Sequence, residues 1–197
     1  KTSTMTAQNV DLAVTATDTA TASANGLIMV GTAGLSASDG TLRISGDAKV
    51  KTGITASNAA NEFFTACAVS SLNNGVIDVG VTADGTTSLG KTVQLEGDVQ
   101  AYDDGKVNLT LDGPDSYLQG NVQTENPLNY GGTSTSGTVN LTVTKGATWR
   151  PVYDNRYGTA NKYQSSIDVH PQSYTFADNS IDTLALSNGG IVDLTWD

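Results

Sequence analysis

A single cysteine, Cys67, in 197 residues excludes an internal disulfide and any zinc site built on cysteine. It stands in Phe63-Phe64-Thr65-Ala66-Cys67-Ala68-Val69, with no positive charge close in sequence to activate it, so the setting is that of a small buried thiol. Scarcity of cysteine also suits a chain that crosses an oxidising compartment unfolded. The only histidine, His170, leaves a Ser-His-Asp arrangement one base to use, and no Gly-x-Ser-x-Gly turn is present. Positive charge is sparse as well. Ten Lys+Arg against 20 Asp+Glu give a net charge of -10 and a pI near 4.3, so most of the surface repels phosphate backbones and nucleic acid is not an expected partner. No run approaches the ~18 apolar residues of a membrane-spanning helix, and the first residues lack the basic, apolar, small layout of a secretory signal. The expectation is either a cytosolic protein or a fragment of something already processed, with no membrane contact of its own.

What fills the chain instead is Gly, at 21 residues, with an excess of Thr, Ser, Ala and Asn, while charged residues are only 15%. That is well below the ~25% of ordinary soluble domains. At 20.3 kDa the chain suits one core, hence one domain over 1–197. Apolar and polar residues alternate in Leu42-Arg43-Ile44, Ile77-Asp78-Val79-Gly80-Val81, Val93-Gln94-Leu95, Val107-Asn108-Leu109-Thr110-Leu111, Val139-Asn140-Leu141-Thr142-Val143, Leu184-Ala185-Leu186 and Val192-Asp193-Leu194. Period two predicts short strands with one buried face. Between them Asp39-Gly40, Asn74-Gly75, Asp84-Gly85, Asp104-Gly105, Asp112-Gly113 and Asn188-Gly189 supply turns, and no helical period persists beyond about ten residues. The class is all-β.

Hairpin sandwiches share this local pattern, so the decisive signal is an internal repeat. Gly105-Lys106-Val107-Asn108-Leu109-Thr110-Leu111-Asp112 matches Gly137-Thr138-Val139-Asn140-Leu141-Thr142-Val143-Thr144 at an offset of 32, which also sets Tyr117 against Trp149. Further Gly-led strands open at Gly40, Gly75 and Gly190, giving spacings of 35, 30, 32 and finally 53. A solenoid of parallel strands follows, six to eight turns of about 20 to 25 residues stacked at ~4.8 Å, with variable loops. Val, Leu and Ile point inward; Thr, Asn, Asp and Lys form polar ladders outside. Residues 1–24, rich in Thr and Ala, are expected as an N-terminal cap or a frayed rung, and 150–179 as an extended loop or insertion.

The sequence Ala147-Thr148-Trp149, followed by Ser180-Ile181-Asp182-Thr183-Leu184-Ala185-Leu186-Ser187-Asn188-Gly189-Gly190-Ile191-Val192-Asp193-Leu194, resembles the C-terminal rungs of pertactin-like autotransporter passengers. The likeness is strong over the last third and one of style before it. It implies a right-handed parallel β-helix, an excised passenger piece displayed on the outer membrane of a Gram-negative bacterium. It implies adhesion, cell–cell self-association or biofilm formation, although some members carry protease or lipase domains. Partners would be a host or bacterial cell-surface protein or glycan, or another copy of the chain. The roughly 30 residues between Trp149 and Ser180 exceed the connection the family would lead one to expect.

That long segment is compositionally distinct. Two of three arginines, four of seven tyrosines and His170 fall between residues 150 and 174. Tyr and Arg join large area to directional hydrogen bonding, so Arg150, Tyr153, Arg156, Tyr157, Tyr163 and Tyr174 are the candidate ligand-binding residues. The rival reading is an excursion whose tyrosines pack on the solenoid flank. Asp103-Asp104 are strand neighbours that point to opposite faces, poorly placed to flank one glycosidic bond, and read better as turn acids. The Asp-Asp plus Gly-His signatures of sugar-cleaving β-helices are missing, so no enzyme is expected; a polysaccharide-degrading enzyme and a structural spacer are the alternatives. There is no Gly-Gly-x-Gly-x-Asp array or EF-hand loop, and no cofactor or metal is expected, with calcium left open. Asn108-Leu109-Thr110 and Asn140-Leu141-Thr142 match glycosylation sequons, but their place in the repeat makes them stacked polar positions.

Overall fold

The structure, a computed structural model, describes residues 3–18, 28–56, 62–124, 135–151 and 180–195. Among them are sixteen strands and no helix. These are β1 (Ser3–Ala7), β2 (Val10–Asp18), β3 (Ile28–Ser38), β4 (Gly40–Ile44), β5 (Ala48–Ala56), β6 (Glu62–Leu72), β7 (Val76–Val79), β8 (Val93–Glu96), β9 (Asp98–Ala101), β10 (Lys106–Asp112), β11 (Tyr117–Gln119), β12 (Val122–Gln123), β13 (Thr138–Thr144), β14 (Thr148–Arg150), β15 (Thr183–Ser187) and β16 (Ile191–Val192).

They stack as a parallel β-solenoid. One sheet, A, runs β1-β4-β7-β10-β13-β15; a second, B, runs β2-β5-β8-β11-β14-β16; a third, C, runs β3-β6-β9-β12. Every third strand returns to the same sheet, so four circuits show all three strands and the last two show the A and B strands. All pairings between these strands are parallel. The only antiparallel contacts among the described residues are the isolated bridges Val81↔Ser88 and Tyr102↔Ser136. Two facing antiparallel sheets are thereby excluded.

The repeat is realised residue for residue where it is clearest: Val107 lies on Val139, Leu109 on Leu141 and Leu111 on Val143. Ile77 and Val79 continue the first two columns one circuit earlier. In sheet B, Val50, Leu95, Leu118 and Trp149 form one column, and in sheet C, Val69, Val99 and Val122 form another. All are buried in a single core, which no circuit could close alone. The corner glycines are a steric requirement. A Cβ on Gly105 would sit 2.3 Å from the carbonyl oxygen of Ser71, and one on Gly137 2.3 Å from the carbonyl carbon of Ala101. The chain turns into sheet A directly against the backbone of the circuit before it.

Within the segment 1–24, Ser3–Ala7 and Val10–Asp18 are strands in register with β4 and β5. Three expectations need correction. Gly190 does not open the next strand of sheet A; β15 does, at Thr183, offset by 43 from Asn140, and Gly190 leads β16 into sheet B instead. Tyr117 does not face Trp149: it pairs with Thr148, and Trp149 pairs with Leu118. The cause is one extra residue, because Gly113–Ser116 joins β10 to β11 where Lys145–Ala147 joins β13 to β14. Finally, the strand ends at Val79, where Gly80 takes a φ of 67°, so Val81 is buried as the alternation suggests but outside β7 and outside the core cluster.

Cys67 is buried in β6, as its apolar setting suggests. Sheet C hides both faces there: Cys67 to Ser71 are all buried, and so is the whole of β9. No alternation is left for the eye to find.

Candidate functional site

Of the six candidate ligand-binding residues, Tyr153, Arg156, Tyr157, Tyr163 and Tyr174 lie outside the described residues, as does His170. Arg150 is described, at the exposed end of β14. Its Nε and Nη2 donate to Asp193 Oδ2 at 2.9 and 2.6 Å, one circuit on.

Arg150 belongs to the outward side of sheet B, where parallel register sets polar side chains in columns. One column runs Asp11, Lys49, Gln94, Tyr117, Thr148 and Ile191; beside it run Lys51, Glu96, Gln119 and Arg150. Lys51 Nζ meets Glu96 Oε2 at 2.5 Å, and the Tyr117 hydroxyl donates to Glu96 Oε1 at 3.2 Å. The Lys51 bond, with help from Tyr117, holds the Glu96 carboxyl below its ordinary range against the opposing effect of burial. Burial, followed by the charge of Glu96, raises the Tyr117 phenol. The phenol stays protonated and donating across the neutral range.

A groove of about 310 Å³ opens over this face, lined by Pro114, Ser116, Tyr117, Leu118, Gln119, Thr148 and Arg150. Pro114, in the longer β10–β11 turn, forms a wall. The tyrosine on this face and the wall beside it come from the same extra residue that moved the register. Sequence reading placed Tyr117 opposite Trp149, and a one-residue slip in a strand exchanges its faces. Gln94, Glu96, Gln119 and Thr148 carry no compositional signal alone; only their alignment marks them.

Asp193 is the most perturbed acid on this face, lowered to about 2. The Thr195 hydroxyl contributes most, donating to Oδ1 at 2.5 Å; the Thr195 backbone N–H follows, at 3.0 Å, and then Arg150. A carboxylate depressed in the folded state contributes stability that is present above its unfolded value of about 4 and is lost as pH falls through the folded value. The carboxyl resonance of Asp193 is expected to titrate near pH 2 by NMR, and Thr195→Val should move its midpoint upward.

A second polar array occupies the outer side of sheet A. Arg43 Nε donates to Asp78 Oδ2 at 3.0 Å, Asn108 Nδ2 to Asp78 Oδ1 at 2.8 Å, and Asn140 Nδ2 to Asn108 Oδ1 at 3.0 Å. This is an outward polar ladder, yet Asp78, Asn108 and Thr110 are buried. The segment 80–92 folds over them. Its ends are tied by Leu89 N to Gly80 O and Thr82 N to Thr87 O, and Gly85 lies so close that a Cβ would be 2.8 Å from Asn108 Nδ2. Ser88 Oγ donates to Asp112 Oδ2 at 2.6 Å, which with the Lys145 ammonium keeps Asp112 below the usual carboxylate range. Both sequon asparagines are thus ladder members, as their place in the repeat suggests.

Asp103 and Asp104 occupy a turn with φ values of 53° and 60°, and Asp103 Oδ1 accepts from Thr135 N. That is a structural use of a carboxylate. Among the described residues no three His, Cys, Asp or Glu side chains group as metal ligands would. No family model matches the chain, and no curated protein or solved structure matches it.

Proposed function

We propose that this chain is a pertactin-like autotransporter passenger piece, coiled right-handed and displayed on a Gram-negative cell surface. It acts by contact, in adhesion to a host or bacterial surface protein or glycan, or in cell–cell self-association and biofilm formation. The observation that carries the reading is the parallel solenoid itself, with stacked circuits over one core and outward columns of Lys, Gln, Tyr, Thr and Arg on sheet B. A rod of this kind sums many weak contacts along its length, and its negative charge limits non-specific sticking. Catalysis is the lesser reading, because the adjacent acids Asp103 and Asp104 are committed to a turn.

The segment 150–176 is the recognition element of this proposal, on composition alone. Removal of residues 152–176 from the full-length protein on cells, with display verified by surface labelling, is expected to cut attachment or autoaggregation severely. Unchanged attachment with unchanged display defeats the assignment of that segment. Absence of attachment by the intact protein would favour a structural spacer, and new reducing or unsaturated ends from pectin or alginate would favour the enzyme.

A further inference from the structure

We infer that the outward face of sheet B is a binding groove for a neutral, linear glycan, centred on Tyr117, Gln119, Thr148 and Arg150. The inference rests on the contact function proposed above and gives it a ligand class and a site on sheet B that shares Arg150 with the segment 150–176.

The groove of about 310 Å³ falls at the small end of the ~300–1,000 Å³ typical of small-ligand sites. Its lining joins one aromatic ring to an amide, a hydroxyl and a guanidinium. The Tyr117 hydroxyl is tied to Glu96 on the neighbouring strand, which restricts the ring's freedom to swing. A tyrosine ring so restrained in the groove lining supplies the apolar surface against which the C–H face of a sugar packs. Gln119 and Thr148 side chains make no hydrogen bond to any described residue, and Arg150 spends only Nε and Nη2, on Asp193. Amide, hydroxyl and the remaining guanidinium N–H groups therefore converge on one groove with capacity to spare, as donors and acceptors suited to sugar hydroxyls. Side-chain columns repeat every ~4.8 Å along the rod, so a polymer lying along it meets a polar group at each step.

Charge decides between ligand classes. The outward positions of sheet B carry three cations, Lys49, Lys51 and Arg150, and three anions, Asp11, Glu96 and Asp193, for a net of zero on a chain of net -10. A face without net positive charge offers nothing to draw in an acidic polymer, which the chain's net charge already disfavours, whereas a neutral chain meets no such penalty. A protein partner fits less well. Among the described residues the exposed large apolar ones are Met5, Leu184, Leu186, Ile191 and Leu194, all in the first and last circuits, so the described lining of the groove lacks the apolar centre of a protein interface.

The test is an amide NMR titration of the protein with linear hexamers of β-1,4-linked glucose, β-1,4-linked N-acetylglucosamine and α-1,4-linked glucose. The α-1,4-linked galacturonate hexamer serves as the charged control. Shifts at 94–96, 117–119 and 148–150 with one or more neutral hexamers, at Kd of about 1 mM or tighter, are expected. Tyr117→Ala and Gln119→Ala should each weaken binding about tenfold or more, while Lys106→Ala on sheet A leaves it unchanged. Gln119 is exposed, so its variant keeps the fold whatever Tyr117→Ala does. No shift with any neutral hexamer overturns the inference, as do binding indifferent to both variants and equal binding of galacturonate. Cells displaying Gln119→Ala separate the two claims. Normal attachment together with no glycan binding in solution sinks the groove alone, whereas glycan binding without any attachment by the unsubstituted protein sinks the adhesive role and leaves the groove.

Discussion

Leu109→Ala is expected to lower the unfolding free energy by about 2–5 kcal/mol, the range for truncating a fully buried leucine. Leu109 is 1% exposed and lies between Val79 and Leu141, in the middle of the inner column of sheet A. The cavity cannot collapse cheaply, because backbone hydrogen bonds hold the strands above and below at a fixed spacing. Leu184→Ala supplies an internal comparison, since Leu184 sits on Leu141 in the same column but is 37% exposed in the last described A strand. A substitution there should cost well under half as much. Urea unfolding followed by far-UV circular dichroism reads both. Equal losses at the two positions would mean that the column is not a continuous core.

Asp78→Ala is the second large effect, expected at about 2–4 kcal/mol. The carboxylate is 1% exposed and accepts from Arg43 on one side and Asn108 on the other, so its loss strands an amide under the 80–92 segment. The figure is held below that of a fully buried ion pair because the Arg43 side chain is 34% exposed and water can serve it. Asp78→Asn preserves the shape and one acceptor and should cost less. Hydrogen exchange adds a sharper reading: amides of 80–92 are expected to lose protection in Asp78→Ala before those of β10 do. A variant as stable as the parent, with 80–92 still protected, would show that the ladder contributes nothing.

The solenoid is largely legible in the sequence. The pairing of Val107-Asn108-Leu109-Thr110-Leu111 with its copy 32 residues on is present in the structure without a slip, and Gly40, Gly75 and Gly105 mark the start of β4, β7 and β10 or the residue before. Sheet C was hidden for a physical reason, since Cys67 to Ser71 and Asp98 to Ala101 are buried on both sides and show no period. Sheet B was seen in part. Its apolar columns alternate, but the longer turn at Pro114 shifts Tyr117 and Trp149 to opposite faces, and only a count of turn residues would have revealed it. The arginine at position 150 stood out by composition, whereas Gln119 and Thr148 acquire meaning only beside it. The ladder on sheet A was anticipated, but not its cover, because Asp84-Gly85 reads equally well as a turn between adjacent strands.

The cover also reveals where this architecture has room to vary. The passage from sheet A to sheet B is made by residues 8–9, 45–47, 80–92, 113–116, 145–147 and 188–190 in successive circuits. Despite a span from two residues to thirteen, Val50, Leu95, Leu118 and Trp149 still lie one above another. Length at this corner is therefore uncoupled from the interior. New chain can be spliced in there, one circuit at a time, and the exterior can diversify while the scaffold that carries it stays the same.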